Sequence, residues 1–119
     1  GWPDDDRSNP VPSGTIGPIA TWTPHTSMNG VALRPLNSPL PGDNTTIYAT
    51  VYGSWNTILP QGHEIVRIDL NATSGEVIGT TSVFAKDVGT PLPITFHPNG
   101  DLYFAVFGSN GKLYKITAT

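Results

Sequence analysis

The side chains able to do chemistry are few and scattered. Three histidines, His25, His63 and His97, show no spacing that would converge on a metal ion. His25 lies in the polar turn Thr23–Gly30 (TPHTSMNG). There it could orient a substrate or cofactor at a cleft mouth, or hydrogen-bond within its own loop, and the loop reading is favoured. His63 opens one apolar stretch and His97 closes another, which reads as surface or edge placement. Asp4, Asp5 and Asp6 offer oxygens to a hard cation, but adjacent carboxylates cannot all point at one ion, so a solvated loop is favoured. Trp55 follows a strand pattern and could stack on a sugar face or plug the space between neighbouring sheets. Ser54 and Ser109 sit in turns with no base in reach of the sequence pattern, and no glycine loop suited to phosphate is present.

The bulk properties narrow the setting. Of the 119 residues, 37% are hydrophobic and only 13% charged, a balance that supports a core rather than a disordered chain. Twelve prolines and 13 glycines call for many turns and few long helices. A net charge of −3 gives no basic face for nucleic acid, and no apolar run approaches a membrane span. Cysteine is absent, so disulfides and thiol chemistry are excluded. Two sequons, Asn44-Thr45-Thr46 and Asn71-Ala72-Thr73, fall in expected turns, so both asparagines are candidate glycosylation sites of a secreted, extracellular protein. A start at Gly1, without Met, reads as a processed product, a fragment or an engineered chain.

The elements that must position these residues are repeated. IYATVYGSWN (Ile47–Asn56) returns as LYFAVFGSNG (Leu102–Gly111). Upstream, VALRP (Val31–Pro35) matches ITFHP (Ile94–Pro98); downstream, EIVRIDL (Glu64–Leu70) matches KLYKITA (Lys112–Ala118). Thr46–Tyr52 and Glu64–Leu70 alternate and carry β-branched residues, as strands do. A further strand is expected over Val77–Phe84, a short one over Ile19–Trp22, a turn over Asn71–Gly75 and a hairpin at Pro98-Asn99-Gly100-Asp101. The reading is all-β: two antiparallel β-propeller blades, four strands and then three, the second incomplete. The division is a loop and leading strand over 1–30, a first blade over 31–86 and a second over 87–119. Like units that cannot cover their own faces must stack, so the remaining blades are expected as partners, from the same parent chain or from other copies.

The ordered motifs GWP (Gly1–Pro3), PHTSMNG (Pro24–Gly30), GSWN (Gly53–Asn56), PQGHEIVRI (Pro60–Ile68) and HPNGDLYFA (His97–Ala105) resemble the C-terminal blades of soluble quinoprotein glucose/sorbosone dehydrogenases of the fungal branch. The resemblance implies a six-bladed propeller with pyrroloquinoline quinone (PQQ) and calcium at the mouth of the ring. It implies hydride transfer from a sugar to the quinone, with the base and the calcium loop placed before the GWP motif. His25, Trp55 and Asn56 match family motif positions and become candidates for cofactor or substrate binding. Where the family carries cations that hold the quinone, this sequence has Thr57 after SWN and Thr90 in Gly89-Thr90-Pro91. A tricarboxylate needs charge-assisted partners. The expectation is therefore that this chain alone is inactive, contains no catalytic residue and does not bind PQQ tightly. Two functional classes follow: part of a sugar dehydrogenase that oxidises an aldose, or a non-catalytic propeller that binds carbohydrate or protein or serves assembly.

Overall fold

The computed structural model describes residues 13–14, 17–55, 57–73 and 76–119. Asp4, Asp5, Asp6 and Asn56 lie outside the described residues. Seven strands make up the described regular structure: β1 (Met28–Leu33), β2 (Thr46–Val51), β3 (Glu64–Thr73), β4 (Glu76–Ala85), β5 (Pro91–Phe96), β6 (Leu102–Val106) and β7 (Lys112–Ile116). They form two antiparallel sheets, ordered β1-β2-β3-β4 and β5-β6-β7. No helix is found among the described residues.

The repeat seen in the sequence is a repeat of pairing. Met28 faces Val51 and Val31 faces Ala49, with a bulge between them; Pro91 faces Val106 and Ile94 faces Phe104, again across a bulge. Ile47 pairs with Ile68 as Leu102 pairs with Ile116. Each shared motif therefore occupies the same place in its own ladder. The bulge also explains why β5 starts at Pro91 rather than Ile94: proline is tolerated on an edge strand and at a bulge.

Several boundaries differ from the sequence reading. Ile19–Trp22 is not a strand. It lies against β4 and holds it through the Gly79 N–H, which donates to the Ile19 carbonyl at 2.6 Å. A single bond of this kind pins an apolar segment without building a ladder. The turn expected over Asn71–Gly75 is shorter, because β3 continues through Thr73 and Asn71 pairs with Ile78. β2 is buried on both faces and does not alternate core with solvent; a strand covered on both sides reads as a nearly continuous buried run.

Two cores flank the four-stranded sheet. One lies between the sheets and joins Leu40, Tyr48, Ile65, Leu102 and Phe104, with Phe84, Phe96 and Ile94 packed against it. Tyr48 is fully buried at its centre, edge-on to Phe84 at 4.8 Å and to Phe96 at 5.6 Å, and its hydroxyl donates to the Pro41 carbonyl at 2.6 Å. The other core lies on the far face, where Ala49, Val51, Val66 and Ile68 meet Ala20 and Trp22. The Trp22 indole N–H donates to Glu64 Oε1 at 2.8 Å, which satisfies a buried carboxylate.

The sheets approach each other closely at Gly30. A Cβ there would stand 2.4 Å from the Leu92 carbonyl oxygen. Buried Thr50 accepts from the Gly30 N–H at 2.9 Å and donates to that same Leu92 carbonyl at 2.6 Å. At the opposite end, the Arg34 guanidinium donates to the carbonyls of Leu40, Pro35 and Ser38 and so shapes the loop after β1. That loop reaches the second sheet: Ser38 Oγ donates to the Gly100 carbonyl and Asn37 Nδ2 to the Pro98 carbonyl, each at 2.7 Å.

Candidate functional site

β1, β3, β5 and β7 begin at one end of the sheets, and β2, β4 and β6 end there. That end carries His25, Trp55, Thr57 and Thr90. Asn44, in the turn before β2, and Asn71, late in β3, lie at the other end, and both are exposed. The candidate binding residues and the candidate glycosylation residues are thus at opposite ends of the same strands.

The end with the candidate binding residues is built from the strand termini upward. His25 (φ 59°) and Ser27 (φ 54°) both adopt left-handed backbone conformations just before β1. Such conformations are uncommon for non-glycine residues and persist only where their surroundings hold them. Here the hold is the end of β2: the Tyr52 N–H donates to the Ser27 carbonyl and the Gly53 N–H to the Thr26 carbonyl, each at 2.9 Å. The His25 side chain is exposed and has no hydrogen bond among the described residues. The approach to β5 repeats the pattern, with Asp87 (φ 55°) and Gly89 (φ 83°) left-handed and the Phe107 N–H donating to the Thr90 carbonyl at 2.9 Å. Tyr52 and Phe107, equivalent in the repeat, meet across the two sheets with ring centroids 6.3 Å apart.

Trp55 stands 89% exposed, so it does not plug any space within this chain. It belongs to a self-bonded loop that also exposes Ile58 and Leu59. The Ser54 N–H donates to the Gln61 carbonyl and the Gln61 N–H to Ser54 Oγ, both at 2.9 Å. Thr57 Oγ1 donates to the Leu59 carbonyl at 2.6 Å. A hydroxyl has one proton, so the 2.6 Å contact between Ser54 and Thr57 is a bond donated by Ser54.

The same count applies at Thr90, whose hydroxyl donates to the Phe107 carbonyl at 2.5 Å. Both threonine hydroxyl protons are therefore engaged on backbone carbonyls. Neither is free to donate to a carboxylate, and neither side chain carries charge. These residues do not fit a quinone tricarboxylate. Among the described residues, no three of His, Asp and Glu gather where they could hold a metal ion.

Sequence reasoning missed His63. It is no simple edge residue: its backbone is left-handed (φ 59°) and its ring lies over Gly53, where a Cβ would stand 2.5 Å from the ring. Its Nδ1 is 3.0 Å from the Gly89 carbonyl, which can only accept, so Nδ1 carries the proton. Its own carbonyl accepts from the Val88 N–H at 3.0 Å. His63 thus ties the start of β3 to the β4–β5 connection. The Gly-His step in PQGHE, with Gly53 as its counterpart, was the available signal. Tyr52 and Phe107 were legible as the aromatic that precedes Gly-Ser in both copies. His97 is exposed, as expected, and its Nδ1 accepts from the Asn99 N–H at 3.2 Å.

No protein-family profile and no curated protein matches the chain. A solved structure does: the holo form of the PQQ domain of pyranose dehydrogenase from Coprinopsis cinerea, with 20% identity and a TM-score of 0.50. The match covers 66% of this chain and 25% of that one, so the chain spans about a quarter of the length of the solved domain. At this identity the likeness is one of fold: two adjacent antiparallel sheets, arranged as in part of that domain.

Proposed function

We propose that the chain is part of a secreted, quinoprotein sugar dehydrogenase-like β-propeller, and that this part supplies sugar-facing surface rather than the cations that hold a quinone. The ancestry is supported by the ordered motifs and by the fold likeness to the PQQ domain of a pyranose dehydrogenase. The division of labour is carried by one observation: the hydroxyls of Thr57 and Thr90, at the two expected cation positions, are both engaged on backbone carbonyls. Each absent charge-assisted bond forfeits about 1.5–3 kcal/mol. Two together weaken binding by several powers of ten. Exposed Trp55 is the group that stacks on a sugar ring, with His25 at the same end to orient it.

The test has two arms. In the first, the chain is titrated with PQQ in the presence of calcium, then assayed for sugar-dependent dye reduction. No submicromolar quinone affinity and no turnover are expected; tight binding or turnover would overturn the division of labour. In the second, aldoses are titrated while tryptophan fluorescence is followed. A saturable change that Trp55→Ala abolishes is expected, and an unchanged titration in that variant would remove Trp55 from the site.

The open faces support a role for further blades as partners. Leu113 on β7, and Val31 and Leu33 on β1, are exposed. Apolar strand faces of this kind, and the edge of β7, which has no strand beside it among the described residues, call for cover.

A further inference from the structure

A cleft of about 460 Å³ opens between the β4–β5 connection and the second sheet, lined by Asp87, Val88, Gly89, Phe104, Val106 and Tyr114. Its volume falls within the range of small-molecule sites, roughly 300–1,000 Å³. Its chemistry is one-sided. Phe104 and Tyr114 stack nearly parallel, at 17° and 5.3 Å between centroids, and Val88 and Val106 add apolar wall. The Gly89 carbonyl is already taken by His63. Asp87 is the one charged group of the lining, is exposed, and pairs with no cation among the described residues.

Asp87 is also held in place at a cost. Its left-handed backbone is fixed from behind by the bond from the Val88 N–H to the His63 carbonyl. The same left-handed hold occurs at His25 before β1, so here it fixes the connection that forms one wall of the cleft. Where the second sheet sets Phe104 and Tyr114, the equivalent positions of the first sheet are Ala49 and Val66, packed under Ala20 and Trp22. The aromatic pair is therefore peculiar to this cleft and not a consequence of the repeat.

We propose that this cleft binds a small organic cation with apolar substituents, a quaternary or alkylated ammonium, its charge beside the Asp87 carboxylate and its alkyl groups against Phe104 and Tyr114. An aromatic face attracts a cation through its quadrupole, and a nearby carboxylate adds to the attraction. A quinone tricarboxylate or any other anion is repelled by Asp87. A sugar finds too few polar partners on a wall of valine and phenylalanine. The cleft shares no lining residue with the loop of Trp55, and the proposal does not depend on the function proposed above.

The experiment titrates the chain, in the assembly it forms in solution, with choline and separately with its uncharged isostere, in which carbon replaces the quaternary nitrogen. Ring-proton shifts of Phe104 and Tyr114 are followed by NMR at two protein concentrations. Choline is expected to move both rings and to bind about tenfold more tightly than the isostere. Asp87→Asn should abolish most of that difference while leaving the methyl spectrum of the core unchanged. Should that variant not fold, Tyr114→Leu gives the second reading, and it too must weaken choline more than the isostere. Equal binding of the two probes would overturn the proposal, as would the absence of any shift. Shifts that follow protein concentration rather than added cation would assign the cleft to a second copy of the chain instead.

Discussion

Tyr48 and Tyr103 hold the same place in the two sheets, the second residue of the repeated motif, yet their surroundings differ. Tyr48 is fully buried, edge-on to two phenylalanines, with its hydroxyl bonded. Tyr103 is half-buried, with the exposed His97 ring 5.9 Å away. The strands around them follow the same trend. β2 and the first half of β3 are almost wholly buried, whereas β7 is exposed except at Ile116. Pairing register is the same in both units, so it is fixed by the sequence within each unit. Burial is not: among the described residues, the first sheet has a neighbour on each face and the second on one face. Register is local, and burial depends on what stands next to the sheet.

The largest effect expected from this contrast comes from truncating the two tyrosines. Tyr48→Ala should lower stability by about 3–5 kcal/mol, because it leaves a cavity and unpairs the Pro41 carbonyl. Tyr103→Ala should cost about 1 kcal/mol or less. Urea unfolding of the two variants compares them, and equal losses would mean that the faces are covered alike.

Next in size is Gly30→Ala. The new Cβ would meet the Leu92 carbonyl and Thr50, so the sheets must shift apart, at a cost of about 1–3 kcal/mol. Heteronuclear NMR should show the largest shifts at Thr50 and at Leu92–Ile94. Changes confined to β1 would separate Gly30 from the junction.

A smaller effect is expected from acid. The Thr45 hydroxyl and then its N–H hold Asp43 below its ordinary value near 3.8, and the Thr117 hydroxyl, with Asn99 and Lys115 behind it, does the same for Asp101. A carboxylate depressed in the fold contributes stability above its unfolded value and loses it as pH falls through the folded value. Stability should therefore decline below about pH 4, with one contribution from each unit. Asp43→Asn and Asp101→Asn should each flatten part of that decline in acid-unfolding curves, and a profile unchanged in both variants would discount these contacts. The smallest effect is that of Trp55→Ala on folding, within about 0.5 kcal/mol in the same urea assay, because the side chain is almost wholly in water.

Much of this was legible in the sequence and the rest had identifiable reasons to be hidden. The matched motifs mark the second and third strands of each unit, since alternation and β-branching are local signals. The inner strands began earlier than expected, at Met28 and Pro91, because a bulge lets a glycine or proline sit inside a strand. Ile19–Trp22 has the composition of a strand but meets β4 through a single backbone bond, a tertiary arrangement that composition does not encode. At the end with the candidate residues, the replacement of two expected cations by Thr57 and Thr90 was readable, but the engagement of their hydroxyls on carbonyls was not. His63 and Asp87 were passed over because their importance lies in left-handed backbone and in bonds between the β4–β5 connection and β3, across a long sequence separation.

The central proposal is that two units of one kind stand side by side and that the exposed side chains of β7 and β1 take further units as cover. Sedimentation equilibrium of the chain at micromolar concentration tests it most directly. The account predicts either self-association or a stable complex with another polypeptide that supplies the missing sheets. A well-folded monomer of 12.7 kDa, free of any other chain, would contradict it.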